Sequence, residues 1–297
     1  MKYTTNFPTT VGIEYTFVPR MNLKHSVSRR WVGWYAAKAL QMNEFFSAKT
    51  RAQIHGEDGA VEIPSPVHRN RKKLLAFGES LFYIANRENL APCHTIKHKN
   101  GSETYLGTGG GHVHVGIPKG MTKQERELFL HNVAIDSFNR FEINWFFQEW
   151  HENEALPDWI KRPHELGRGT ERIATAPIRT RLVPIAIRDK SSKHVKPKTR
   201  TADTLEFRLF DAPRDMSMVE KNVDFALSYT MYMKNLSKRG IKLRPRKREV
   251  LERAKLTPEQ VRGKLKRLFS KLKLNYERDY HKTYFENYEM RREYGKL

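Results

Sequence analysis

Apolar and polar residues alternate strictly in four short stretches of the chain, the period of a strand with one buried face. In VGIEYTFVP, Val11, Ile13, Tyr15 and Phe17 share one face, while Gly12, Glu14 and Thr16 share the other. In GAVEIPSP, Val61 and Ile63 oppose Ala60 and Glu62, and in GHVHVGIP, Val113, Val115 and Ile117 oppose His112, His114 and Gly116. In DTLEFRLFDAP, Leu205, Phe207 and Leu209 oppose Glu206, Arg208 and Phe210. Apolar residues at helical spacing predict helices over 28–49, 69–89, 122–150 and 217–238. A later helix is predicted with Thr257 as N-cap, Pro258 in its first position and Gln260 closing a capping box. Its apolar stripe is Val261, Leu265, Leu268 and Leu272, with Lys264, Lys266, Arg267, Lys271 and Lys273 on the outer side. Residues 161–204 show little periodicity and many Arg, Lys, Thr and Pro residues, and an aperiodic stretch of that length is often functional.

Composition adds a boundary to this pattern. A chain of 297 residues holds one large domain or two ordinary ones. The composition changes near residue 240, at KRGIKLRPRKREV, which divides the chain into a body, 1–240, and a basic helical extension, 241–297. Residues 238–297 carry 20 Lys and Arg against 8 Asp and Glu, more than half of the formal charge of +22. Such a surface attracts polyanions, and the tail reads either as a solvated appendage or as a dock for nucleic acid. No apolar run approaches the ~20 residues of a membrane span. The first residues lack the charged start and apolar middle of a signal peptide. Cys93 is the single cysteine, so neither an intramolecular disulfide nor a cysteine-based zinc site is expected. A cytoplasmic location is the expectation.

The candidate chemistry lies on the polar faces of the four strands. Alternation lets Glu14, Glu62, His112 and Glu206 project from one face of a sheet. Each alone reads as an ordinary surface residue, but three carboxylates brought close repel unless neutralised. Carboxylates with an imidazole suit Mg²⁺ or Mn²⁺, and Arg208, two residues after Glu206, would face phosphates held there. The glycines of GTGGGHV precede a strand rather than a helix and lack the Gly-Lys-Ser/Thr ending, which argues against a phosphate loop.

Together, GIEYT, EDGAVEIPSP, GTGGGHVHVG and TLEFRLFDAP resemble the successive strand motifs of glutamine synthetase-type amidoligases. That superfamily includes glutamate–cysteine ligase and smaller carboxylate–amine ligases, many of them phage-encoded. The resemblance spans residues 9–240, and the Gly-Gly-Gly-His-Val-His and Glu-Phe-Arg segments carry most of it. It implies an α+β fold with a curved, mainly antiparallel sheet of glutamine synthetase catalytic-domain type and flanking helices. It also implies ATP-dependent amide formation between a small-molecule or peptide carboxylate and an amine, through an acyl phosphate, in a cell's or a phage host's cytoplasm. By resemblance one Mg²⁺ or Mn²⁺ is held by Glu14, His112 and Glu206, and a second by Glu62 with Asp58 or Glu57. His114 would lie near the ATP and Arg208 would contact the transferred phosphoryl group. Arg179 and Arg181 are the expected phosphate- and carboxylate-contacting arginines, ahead of Lys198 and Arg200, and Glu165, Glu171 or His164 remain open as acid–base groups. Two positions depart from the family pattern: Thr16 stands where a second Glu is usual, and Ala60 where a small hydroxylated residue is common. Two rival readings are a basic nucleic-acid-binding protein and a metal-dependent hydrolase or nuclease.

Overall fold

The computed structural model describes residues 5–20, 29–57, 60–97, 103–107, 111–139, 185–188, 203–210, 212–244 and 258–285. Its strands are β1 (Asn6–Pro19), β2 (His55–Glu57), β3 (Ala60–Pro64), β4 (His68–Asn70), β5 (Leu90–Ala91), β6 (Cys93–Lys97), β7 (Glu103–Gly107), β8 (Val113–Gly116), β9 (Ile185–Arg188) and β10 (Thr204–Phe207). Its helices are α1 (Arg29–Gln41), α2 (Ala48–Arg51), α3 (Arg71–Arg87), α4 (Lys123–Asn139), α5 (Met216–Lys238) and α6 (Pro258–Lys271), followed by a π-helical segment, Glu277–Phe285. Strands and helices combine in an α+β fold around a curled antiparallel sheet ordered β2-β3-β1-β8-β10-β9. The expectation of an antiparallel α+β architecture is met.

β1 organises that sheet because it is long enough to take partners in series. Its residues 14–17 pair with β3 and its first half with β4, while β8 and β5 pair with it at residues 11–13 and 18–19. Val11, Ile13, Tyr15 and Phe17 are all buried, as the alternation requires. They join Val61, Ile63, Val113, Val115, Leu205 and Phe207 in one apolar core beneath α3 and α5. A line of ring contacts runs from the sheet into the helices: Phe207 against Tyr229, Phe225 against Tyr229, and Phe225 against Phe269 of α6. Leu265, Leu268, Phe269 and Leu272 therefore share the core with the sheet. Burying each such side chain contributes roughly 1.5–3 kcal/mol.

Two expected elements differ. The helix expected over 28–49 ends at Gln41, and a short α2 begins at Ala48. Between them Asn43 accepts the Phe45 N–H through its side chain and Ser47 caps α2 by accepting from Thr50, so short polar side chains compete successfully for the backbone. The alternation read through Phe210 also stops early, because β10 ends at Phe207. Phe210 turns inward instead and packs on Phe207 and Phe225 at ring separations of 6.4 and 6.1 Å. The helices expected over 69–89 and 217–238 form as α3 and α5, capped by Asn70 and Asp215. Thr257 lies outside the described residues, as do 140–150 of the helix expected over 122–150. Among the described residues no helix is long and apolar enough to cross a membrane.

Candidate metal centre

Strand register decides which polar side chains meet. Gly12 of β1 and Glu206 of β10 lie directly opposite His114 of β8, on its two sides. Beside this row the Glu14 N–H donates to the His112 carbonyl at 2.9 Å, which continues the β1–β8 pairing past the end of β8. Glu14, His112, His114 and Glu206 thus project from the face opposite the apolar core, drawn from three adjacent strands.

Their side chains converge. His112 Nδ1 donates to Glu14 Oε2 at 2.7 Å and lies 3.6 Å from Glu206 Oε1. His114 Nε2 donates to the other Glu14 oxygen at 2.8 Å. Burial by itself would raise the Glu14 carboxyl, but the two imidazole hydrogen bonds hold it far below the usual carboxylate range. Glu206 is 3% exposed, and Arg208 reaches back along its own chain to bond Glu206 Oε1. One ligand atom from each of Glu14, His112 and Glu206 lies within 4.8 Å of the other two, so this group can hold a metal ion. Oxygen and imidazole donors partly buried on a sheet face fit Mg²⁺ or Mn²⁺.

Glu62 stands one strand further out. Thr16 is its direct partner across β1–β3, and Glu14, two residues along, is its diagonal neighbour on the same face. Its carboxyl is pushed up to about 7, by burial and by contact with the Glu14 carboxylate, against the opposing effect of His55. Burial and contact with a second carboxylate both disfavour its charged form. Thr16 is itself buried, at 7% exposure, and a hydroxyl there adds no charge.

The fold brings together Glu14, Glu62, His112, His114, Glu206 and Arg208. Asp58, Arg179 and Arg181 lie outside the described residues, and so do His164, Glu165, Glu171, Lys198 and Arg200; nothing is described of the Glu57 side chain. Sequence reasoning missed His55, whose Nε2 is 3.3 Å from Glu62 Oε2. A signal for it exists. The dipeptide Asp58-Gly59 favours a two-residue hairpin turn, and such a turn pairs residue 57 with 60 and residue 55 with 62, the register observed.

The molecule is thus an α+β protein whose antiparallel sheet presents a carboxylate–imidazole cluster able to hold a divalent cation. No family model matches the sequence. No curated protein matches it either. Among solved structures, the complex between the prokaryotic ubiquitin-like protein Pup and its ligase PafA contains a similar chain, at 12% identity and a TM-score of 0.44. The match covers 82% of the present chain and 51% of that one, so this chain spans about half of its length.

Proposed function

We propose that this protein is an ATP-dependent carboxylate–amine ligase that works through an acyl phosphate with divalent metal ions. The observation that carries the reading is the convergence of Glu14, His112 and Glu206, with Arg208 beside them, on the face of an antiparallel sheet opposite its apolar core. The resemblance of the four strand motifs to glutamine synthetase-type amidoligases supports it, since its expected metal ligands are these same three residues.

A bound Mg²⁺ or Mn²⁺ supplies neutralisation of the charge that spreads over a transferring phosphoryl group. The chain's own residues do the rest. Glu14 is oriented by two imidazole donors, so both of its oxygens are fixed before any ligand arrives. His114 holds one of them and lies on the nucleotide side of the cluster. Arg208, tethered to Glu206, presents a planar guanidinium to the phosphoryl oxygens, and Arg179 and Arg181 are assigned to the carboxylate and phosphates. The substrate carboxylate attacks the γ-phosphorus, and the bridging oxygen leaves with its electron pair as ADP. The amine nitrogen then attacks the acyl carbon, inorganic phosphate departs, and the amine proton passes to a base.

The test is ADP release screened over pairs of amino acids, polyamines and acidic peptides, with Mg²⁺ and Mn²⁺. His112→Ala and Glu206→Ala are each expected to lower turnover by about 10²–10⁴-fold, with an unchanged circular dichroism spectrum. Full activity in both variants would remove the metal assignment. Cleavage of DNA without ATP would identify a nuclease instead. Nucleic-acid binding that survives chelation and Glu206→Ala, with a steep salt dependence and no ADP, would identify a binding protein.

A further inference from the structure

A cavity of about 250 Å³ lies between one face of α5 and the end of α6, apart from the Glu14–His112–Glu206 group. Its α5 side is Ser228, Met231, Tyr232 and Asn235, spaced i, i+3, i+4 and i+7 along the helix. Ser228 is 1% exposed, and its hydroxyl has no hydrogen-bond partner. Thr230 and Ser237 of the same helix donate to the carbonyls of Ala226 and Met233, four residues back. Ser228 makes no such bond, so its hydroxyl is left to the cavity it lines. Asn235, Lys271 and Lys273 line the cavity from its exposed side. Among the described residues their side chains have neither a hydrogen bond nor an acidic partner. Lys273 follows the last turn of α6 in the left-handed region, at φ 57°, where glycine is the usual residue. The N–H groups of Leu272, Lys273 and Leu274 pair with the carbonyls of Leu268, Ser270 and Phe269, which leaves fewer bare carbonyls there to repel an anion.

We infer that this cavity binds a small organic anion, a carboxylate or phosphate group carried on an aromatic or aliphatic body. The inference stands apart from the ligase reading and uses none of its residues. Two ammonium groups can only donate, and a hydroxyl and a carboxamide can donate beside them, so the polar lining calls for a negatively charged acceptor. Met231, Tyr232 and Leu272 supply the apolar wall for the body. The volume lies just below the roughly 300–1,000 Å³ usual for organic ligands, which is more room than a bare ion fills. Part of the positive charge of the extension thus serves a discrete pocket, not only a diffuse basic surface.

The experiment titrates phenyl phosphate and benzoate into the full chain by isothermal calorimetry, with inorganic phosphate and benzyl alcohol as controls for the anion and the body alone. One equivalent of an organic anion should bind, about tenfold or more tighter than either control. Binding of phenyl phosphate alone, of benzoate alone or of both supports the site and assigns its head group. Ser228→Ala and Lys273→Gly should each weaken that binding by roughly fivefold or more. Their melting temperatures should hold or rise, because one change removes an unpartnered buried hydroxyl and the other relieves a left-handed lysine. Lys266→Gln, on the same helix but outside the cavity and paired with Glu277, should bind as the wild type does. No saturable binding of either probe, or binding no tighter than the controls, would overturn the proposal. So would wild-type affinity in both cavity variants, or an equal loss in Lys266→Gln.

Discussion

The two faces of the sheet carry similar ingredients and put them to opposite uses. On the covered side, Arg71 of α3 sits between two acids of α5, 2.7 Å from Asp224 Oδ1 and 3.4 Å from Glu220 Oε1. On the other side, Glu14, Glu62 and Glu206 meet imidazoles and Arg208. In the first group a permanent cation lies inside the cluster, 4% exposed, and no further ligand is required. Burial still raises the Asp224 carboxyl, and its hydrogen bond from Arg71 opposes that rise. In the second group Arg208 bonds Glu206, and the imidazoles carry charge only when protonated, so Glu14, His112 and Glu206 could hold a divalent cation. A buried ion pair with a central cation ties two helices together; three carboxylates with one arginine at their edge leave a place where a further cation could bind.

This contrast can be broken most forcefully at Arg71. Arg71→Met should destabilise the protein by about 3–5 kcal/mol in urea unfolding, because two acids of a packed helix lose their partner. Mn²⁺ binding measured under native conditions should stay unchanged. A loss of Mn²⁺ affinity without loss of stability would mean that the covered cluster also serves the site.

Backbone room gives a second, smaller comparison. A Cβ at Gly56, on the covered face of β2, would lie 2.6 Å from the Gly33 backbone of α1. At Gly12, on the opposite face beside His114, the nearest atoms to an added Cβ are 3.9 and 4.0 Å away, an ordinary contact. Gly56→Ala should therefore cost about 1–3 kcal/mol in the same assay, and Gly12→Ala should change stability by less than about 1 kcal/mol. If Gly12→Ala weakens nucleotide or metal binding at unchanged stability, the strand at Gly12 approaches the ligand.

A further expected effect is a pH dependence with opposite signs at two neighbouring carboxylates. Glu62, pushed up to about 7, keeps its proton in the fold after the unfolded chain has lost it above the ordinary value of 4.5. The folded state then binds more protons, so this group's contribution to stability falls as pH rises from about 4.5 to 7. Glu14, held low by His112 and His114, contributes stability that is present above 4.5 and lost as pH falls below it. In chelator, Glu62→Gln should exceed the wild type in stability at pH 8, by on the order of 1–2 kcal/mol, and the gap should close near pH 4.5. An equal gap at both pH values would show that Glu62 does not titrate in this way.

Much of the site was readable from alternation alone. Period two assigned Val11, Ile13, Tyr15 and Phe17 to the core and Glu14 to the other face, and did the same for Glu62, His112, His114 and Glu206. Apolar residues at helical spacing marked α3 and α5, and the structure showed Asn70 and Asp215 to be their caps. What alternation could not supply was any end point set by tertiary packing. Phe210 left the polar face because the aromatic cluster of Phe207 and Phe225 offered it burial, and Asn43 and Ser47 ended a helix that periodicity would have continued. β2, β4 and β5 were missed because two or three residues are too few to show a period, and β6, β7 and β9 were not read either.

The sequence by itself determined the donors: which residue types, on which side of which strand, with Thr16 as the neutral exception. A strand's two-residue repeat is a local property, set by backbone geometry, so it needs no partner to be read. Only the tertiary structure decided that β8 lies between β1 and β10, which brings Glu14 and Glu206 to His112 across 98 and 94 residues of chain. It also set His55 beside Glu62 at the edge. Those neighbours depend on strand order, and strand order is chosen by the packing of the shared apolar face against α3 and α5.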